Sequence, residues 1–356
     1  MKVFFVGSSL EGCYNVRCLF PLQANGWDGD RTTFLANRMT PENKALAAKA
    51  SNVVVFHRPQ REGKIELAKL LKKAGKKIVF DNDDTVKEDG GLKFGKYIDE
   101  ERLKKGLKKL DDYTDDFIKI ADLVTCSTEY LANEYRKIND NVLVLPNYID
   151  PFYFPEPKRN ENDIIRVGIT GSLGITADIE VLKPIINHYK DDKRVKFVLF
   201  SMPPAKDDKI TRELYNEEYN FWESVDIEWQ PFVPAEEYYE TLNDLKIDIA
   251  IIPRADNYFN RCKSNLKFIE NSMLEIPCIC QSFSTGDSPY QVNKEDTEHL
   301  ILAETTQDFI NEMEKLIENK ELRRDIGKKA REYVEENYSI EKHAHKWEDA
   351  YKNLYK

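Results

Sequence analysis

Glycine and proline are scarce in this chain, with 15 of each among 356 residues, which excludes collagen-like and low-complexity architectures. Long apolar runs are missing as well. The longest, such as "VLVLP" and "IDIAIIP", are strand-length and far short of the ~20 residues of a membrane-spanning helix. The opening "MKVFFVGSSL" carries a lysine before apolar residues, but the run is too short for a signal peptide and reads as a first strand. None of the six cysteines (Cys13, Cys18, Cys126, Cys262, Cys278, Cys280) forms a CxxC pair. They read as reduced thiols of a cytoplasmic protein, most of them in the core. Cys278 and Cys280 would share a strand face, yet two thiols without further ligands make a poor metal site. Positive charge is in deficit, 53 Lys and Arg against 63 Asp and Glu for a net −10. That argues against a general nucleic-acid binder, which needs a cationic face.

What is present is an alternation. Apolar strand-like runs ("KVFFV", "TTFLA", "NVVVFH", "KKIVFD", "DLVTCS", "NVLVLPN") are separated by amphipathic patterns such as "KIELAKLLKKAG", which closes at a glycine. Nearly continuous apolar strands joined by helices predict a parallel sheet covered on both faces. The segment "DPFYFPEPKRNEND" at 150–163 breaks the rhythm and reads as a linker. The alternation then resumes through "IIRVGITGS", "VKFVLFS", "DIEWQPFV", "IDIAIIP", "IPCICQS" and "HLILAET". The fold class is therefore α/β, with two doubly wound Rossmann-like domains facing each other across a cleft at the carboxyl ends of their strands.

One stretch concentrates chemistry. In "NRCKSNLKFIENSMLEIPCI", residues 260–279, a polar loop leads through Ser264, a candidate N-cap, and Asn265 into a helix carrying Lys263, Lys267 and Glu270. Free N–H groups, the positive helix end and two lysines make an anion site, and a glutamate one turn deeper suits vicinal hydroxyls such as those of a ribose. Together these describe a nucleoside diphosphate. The competing reading is a surface helix with a Lys–Glu pair of little consequence.

The same residues resemble the lysine/glutamate helix of retaining GT-B glycosyltransferases of the family 4 type. In that family a Glu precedes the Pro of a "G-x-P-V"-like turn by seven positions, and Glu270 and Pro277 keep that spacing. "ADLVTCSTEYLANEY" with "NVLVLPNYID" is similar to the close of that family's first domain. "RVGITGSLGITADIEVLKPI" is similar to the opening of its second, with Gly171 and Ser172 in the glycine turn. "WQPFVPAEEYYETLNDLKIDIAIIP" is similar to its "F-x-G-x-V … Y … A-D-[IV]" segment.

The resemblance implies an acceptor-side domain over 1–155, joined by a C-terminal helix at 340–356, and a donor-side domain over 160–338. It implies a UDP- or GDP-sugar as donor, a glycan, lipid-linked or other acceptor, and no required cofactor or metal. Lys263, Ser264, Asn265, Lys267, Gly171 and Ser172 would hold the diphosphate, and Glu270 the ribose. Three departures stand out. Cys262 occupies the place of the family's first Glu, Tyr148 that of the glycine in "P-N-G", and the family's Arg…Lys pair is not evident.

First-domain candidates follow. His57 ends the strand "NVVVFH", where many such enzymes carry a histidine beside the donor sugar, and Arg58 comes next. Gly7 and Gly12 flank the first strand–helix loop, and Arg17 in the helix could reach a phosphate or an acceptor carboxylate. Both positions also fit an ordinary structural role. In "VFDNDDT", Asp81, Asp83 and Asp84 include a D-x-D, the pattern of metal sites in an unrelated class of glycosyltransferases, but here they read as capping or acceptor-side residues. The polar run from Asp84 to Gly95 reads as a flap. Lys104, Lys105, Lys108 and Lys109 sit among as many acids, so their helix reads as a solvated face with at most weak contact to an anionic membrane. The expectation is thus a cytoplasmic hexosyltransferase acting with retention. Its rivals are a sugar-nucleotide epimerase and a non-catalytic nucleotide-sugar-binding module.

Overall fold

Two separate parallel sheets carry the apolar runs. The computed structural model describes residues 1–7, 12–27, 46, 48–59, 62–85, 100–171, 177–201, 216–291 and 298–356. The expected strand "TTFLA" and the expected flap after Thr85 lie outside them.

The first sheet contains β1 (Val3–Gly7), β2 (Val53–His57), β3 (Lys77–Asn82), β4 (Leu123–Cys126) and β5 (Val142–Val144), all parallel and in that spatial order. Alternate residues part cleanly to the two faces. Phe4, Val6, Val54, Phe56, Ile78 and Phe80 pack against helices Glu62–Lys73, Glu100–Ile120 and Glu129–Arg136. Val3, Phe5, Val53, Val55 and Val79 face the other way. Among the described strands the order steps in one direction, and the helices that join β2 through β5 lie on one face, as right-handed crossovers require; the second face has a different cover. Here the cover is the helical segment 12–24, which takes a π turn over Asn15–Leu19, together with the helix His345–Asn353 from the end of the chain. Trp27 meets Tyr351 with ring centroids 5.5 Å apart, and the Tyr355 hydroxyl donates to the Asn52 carbonyl at 2.7 Å.

The second sheet contains β6 (Ile165–Thr170), β7 (Val195–Phe200), β8 (Ile227–Gln230), β9 (Ile249–Ile252), β10 (Cys278–Gln281) and β11 (Ile301–Ala303). Its order, β11-β10-β9-β6-β7-β8, is that of a doubly wound nucleotide-binding sheet, and the winding reverses between β6 and β9. The loops that leave the carboxyl ends of these two strands therefore splay apart and open a crevice. Helices Asp178–Tyr189 and Thr306–Glu318 cover one face, and Leu266–Met273 and Lys320–Asn337 the other. Where the last two cross, a Cβ added to Gly327 would overlap the Glu275 carbonyl oxygen, so only glycine allows the approach.

The chain passes between the sheets along two adjacent segments. Ile149 accepts its neighbour across the gap in a bridge with Ser339, closed by Ile149 N to Tyr338 O at 2.9 Å and Ile340 N to Ile149 O at 2.7 Å. All six cysteines are free thiols, five of them buried and Cys13 half-buried. Among the described residues no helix is long and apolar enough to cross a membrane.

Candidate functional site

The second-domain half of the site is built on the helix Leu266–Met273, which follows β9 at the switch point. Its N-cap is Asn265, with no side-chain capping bond, and not Ser264 as the sequence suggested. The Ser264 hydroxyl instead accepts from Asn147 Nδ2 of the first domain at 2.8 Å, and Asn265 Nδ2 donates to the Tyr338 hydroxyl at 2.9 Å. Ser264 thus stands one residue before the cap, with its hydroxyl taken by a side-chain amide of the first domain.

Lys267 Nζ lies 2.8 Å from Glu270 Oε2 and 2.8 Å from the Tyr238 hydroxyl, which itself stands 3.4 Å from Glu270 Oε2. The Tyr238 ring stacks on Phe200 at the end of β7, with centroids 5.0 Å apart and planes 20° from parallel. Burial pulls the Lys267 ammonium down, but the Glu270 carboxylate and Tyr238 hydroxyl outweigh it and hold its pKa above the ordinary lysine value. Burial, with Glu270 beside it, pushes the Tyr238 phenol up to about 12 against the opposing pull of Lys267. Both are therefore protonated at neutral pH. Gly171, just after β6, sits at φ +117°, and a Cβ there would come 3.9 Å from Lys267 Cε. Backbone of the glycine turn and the lysine thus border one space. Ser172 lies outside the described residues.

Lys263 is placed differently. It follows the short helix Tyr258–Arg261, its Nζ stands 4.0 Å from the Phe259 ring centroid, and it pairs with Asp84 Oδ2 of the first domain at 3.0 Å. The two lysines thus have separate counterions, one within the second domain and one across the cleft.

The first-domain half is a closed charge network. Asp81, in β3, takes Arg17 Nη2 at 2.5 Å, Arg17 Nε at 3.1 Å, His57 Nδ1 at 2.9 Å and the Thr125 hydroxyl at 2.6 Å. Burial raises the Asp81 carboxyl, but Arg17 and His57 more than offset this and hold it at about 2. An ionised Asp81 fixes the His57 ring by its Nδ1 edge. Arg17 also donates to the Leu145 carbonyl and to Asn147 Oδ1 at 3.3 Å.

One expectation needs correction here. Arg17 is fully buried, with its donors committed to Asp81, Leu145 and Asn147, so it braces the sheet and is not presented to a phosphate or an acceptor carboxylate. Asp81 and Asp83, read from the sequence as capping or acceptor-side residues, each have an arginine partner. Asp81 is held by Arg17, and Asp83 by Arg58 Nε at 2.7 Å, where the guanidinium outweighs burial and keeps the Asp83 carboxyl below the ordinary range. His57 is 1% exposed, inside the wall and not on its surface.

Arg58 has φ +46°, a left-handed conformation uncommon for residues other than glycine. The turn aims its guanidinium at Asp83 and, at 3.7 Å, at Asp84. Gly7 ends β1 and Gly12 begins the helical segment; the loop between them is outside the described residues. A cavity of about 220 Å3 lies under this corner, lined by Arg58, Asn82, Asp84, Thr85, Thr114 and Phe259 among others. A larger hollow of about 750 Å3, bordered by Arg166, Tyr189, Lys193, Lys196 and Asp226, opens at the amino-terminal ends of β6 and β7. It lies at the opposite end of the sheet from the crevice.

Some site residues escaped sequence reasoning. Tyr238 was visible only as one aromatic of a "YY" pair. Asp178, at the start of its helix, binds Arg254 Nη1 at 2.7 Å, Ala255 N at 2.9 Å and Asn260 Nδ2 at 2.7 Å, which ties the loop after β9 to the far side of the switch point. Nothing in the spacing of 178 and 254 foretells that pairing.

Residues 185–349 match the family model described as Glycosyl transferase-like. Among solved structures, HepE of Anabaena in complex with UDP and glucose superposes with a TM-score of 0.65 at 11% identity, over 98% of this chain and 98% of that one. The chain has the GT-B glycosyltransferase fold. A glycosyltransferase from Rickettsia africae shares this GT-B architecture with a TM-score of 0.62 at 12% identity, covering 99% and 98% of the two chains. TarM of S. aureus gives 0.59 at 17% identity over 84% of this chain and 54% of that chain. The GT-B chain thus spans about half the length of the TarM structures. No curated protein matches it in sequence.

Proposed function

We propose that this GT-B chain is a glycosyltransferase that moves a hexose-type sugar from a UDP- or GDP-sugar to a glycan, lipid-linked or other acceptor, with retention and without a metal. The observation that carries the reading is the Lys267–Glu270–Tyr238 cluster beside Gly171 at the switch point of the second sheet. In this reading Lys263, Lys267 and the helix that starts at Leu266 neutralise the diphosphate as its bond to the anomeric carbon breaks and the acceptor oxygen takes its place. Glu270 accepts the ribose hydroxyls, and His57, at the end of β2, stands on the donor-sugar side of the first domain. Support for the donor class comes from HepE, a neighbour known in complex with UDP-glucose.

Metal independence is favoured because guanidinium groups already compensate Asp81 and Asp83. We assign residues 1–155 with 340–356 to the acceptor side and 160–338 to the donor side, since the chain crosses at Ile149 and Ser339 and Tyr351 packs on Trp27. A cytoplasmic setting fits the free thiols.

One observation favours a second reading. Cys262, in the place of the family's first Glu, is fully buried in the core cluster of the first sheet and offers the sugar no carboxylate. A nucleotide-sugar-binding module without turnover would tolerate that. A panel of nucleotide sugars separates the two. Transfer releases free nucleotide, whereas the module gives a rise in melting temperature with the sugar nucleotide intact.

A further inference from the structure

Lys263 has a partner that a donor would have to displace. Its ammonium is held between the Phe259 ring and Asp84 Oδ2, at 4.0 Å from the ring centroid and 3.0 Å from the oxygen. Asp84 belongs to the other domain, 179 positions away in sequence. Its remaining oxygen, Oδ1, accepts from Thr85 N at 2.7 Å, and Arg58 Nη2 stands 3.7 Å from Oδ2. The side chains of Lys263 and Asp84 are 23% and 20% exposed, so the pair is reachable from the crevice. Beside it, Asn147 and Ser264 make a second bond between the domains. Lys267, by contrast, keeps its counterion Glu270 on its own helix, where a diphosphate could approach without breaking a domain contact.

We propose that Asp84 and the donor's diphosphate compete for Lys263. In the free protein Asp84 is the surrogate anion that holds Lys263 against the first domain. An arriving diphosphate takes the ammonium over and releases Asp84 Oδ2. Because Asp84 lines the cavity of about 220 Å3 shared by first-domain residues and Phe259, the exchange exposes a carboxylate there only when the donor is in place. This rests on the nucleotide-sugar reading above, and it has an unusual signature: removing a charged residue at the site should improve nucleotide binding.

The test is calorimetric titration of UDP, and of GDP in parallel, into the parent chain, Asp84→Asn, Lys263→Ala and the double variant, with melting temperatures confirming that each is folded. Asp84→Asn should bind the diphosphate about two- to five-fold tighter, the range expected on removing a partly exposed ion-pair competitor. Asp84→Ser should act with the same sign. In the Lys263→Ala background Asp84→Asn should change nothing. Equal or weaker affinity in Asp84→Asn, or the same gain without Lys263, overturns the exchange while the nucleotide site stands. If neither nucleotide binds the parent chain, the nucleotide reading itself fails and the exchange falls with it.

Discussion

The two sides of the crevice use the same ingredients to opposite ends. On the first-domain side Arg17, His57 and Asp81 lie at 0%, 1% and 1% exposure, and Asp81 alone accepts from three residues. On the second-domain side Lys267 is 23% exposed, and it and Tyr238 share one carboxylate. A closed network can contribute to rigidity but has few donors to offer a ligand. An open one holds its cation charged, positioned and still reachable. Charge at a cleft is thus not evidence of contact with substrate. What distinguishes the two is how many donors remain uncommitted and whether a path leads to them.

That contrast predicts a large asymmetry in stability. Asp81→Ala leaves the buried Arg17 guanidinium without its counterion and should cost about 3–5 kcal/mol, read as a shift in the denaturant midpoint at unchanged slope. Lys267→Ala leaves Glu270 the Tyr238 hydroxyl as a partner and should cost less stability than Asp81→Ala, but bind nucleoside diphosphate about 1.5–3 kcal/mol more weakly, measured by calorimetry. If the Lys267 variant loses as much stability as the Asp81 variant, the distinction between a brace and a site collapses.

Acid sharpens the same comparison. Asp81 is held at about 2 against an ordinary 3.8, so it binds a proton more readily in the unfolded chain than in the folded one. Its contribution is present above the unfolded value and is lost as pH falls from about 4 to about 2, an effect of about 2 kcal/mol. Urea unfolding across that window should show a steeper loss of stability in the parent than in Asp81→Asn. The smallest effect is expected from Tyr238→Phe, which keeps the stack on Phe200 and removes only the hydroxyl shared by Lys267 and Glu270. A loss of about 0.5–1.5 kcal/mol in nucleotide affinity, with unchanged melting, is the expected result. No loss would leave Lys267 oriented by Glu270 alone.

The strands and the lysine/glutamate helix were legible because local pattern dictates them. Runs such as "VVVFH" and "VKFVLF" can be buried on both faces only inside a parallel sheet. Arg17 was misread for a reason of the same physics. A cation in a helix after a glycine loop looks the same in sequence whether its counterion is a phosphate or Asp81, 64 positions later. Ser264 was misassigned as a cap because the cap falls one residue later, and Asn147, 117 positions earlier, takes its hydroxyl. Pairings at such separations are set by how strands are ordered in space, and that order depends on crossovers, not on any single segment. The diphosphate roles of Lys263 and Lys267 were read from their place at a helix start, and that of Gly171 from the family resemblance.

The face of the first sheet that carries Phe5, Val53 and Val55 is covered in part by Trp347 and Tyr351. A ribosome completes the described strands of that sheet after residue 144 and supplies this part of their cover only some two hundred residues later. During that interval the amino-terminal half of the chain has only its own segment 12–24 to lay on that apolar face, while the second sheet, whose covering helices come from 178–189, 266–273, 306–318 and 320–337, can fold without waiting. The nascent chain should therefore depend on chaperones for its first half, and a release that stops before residue 345 should yield an aggregating product whose second domain is native-like.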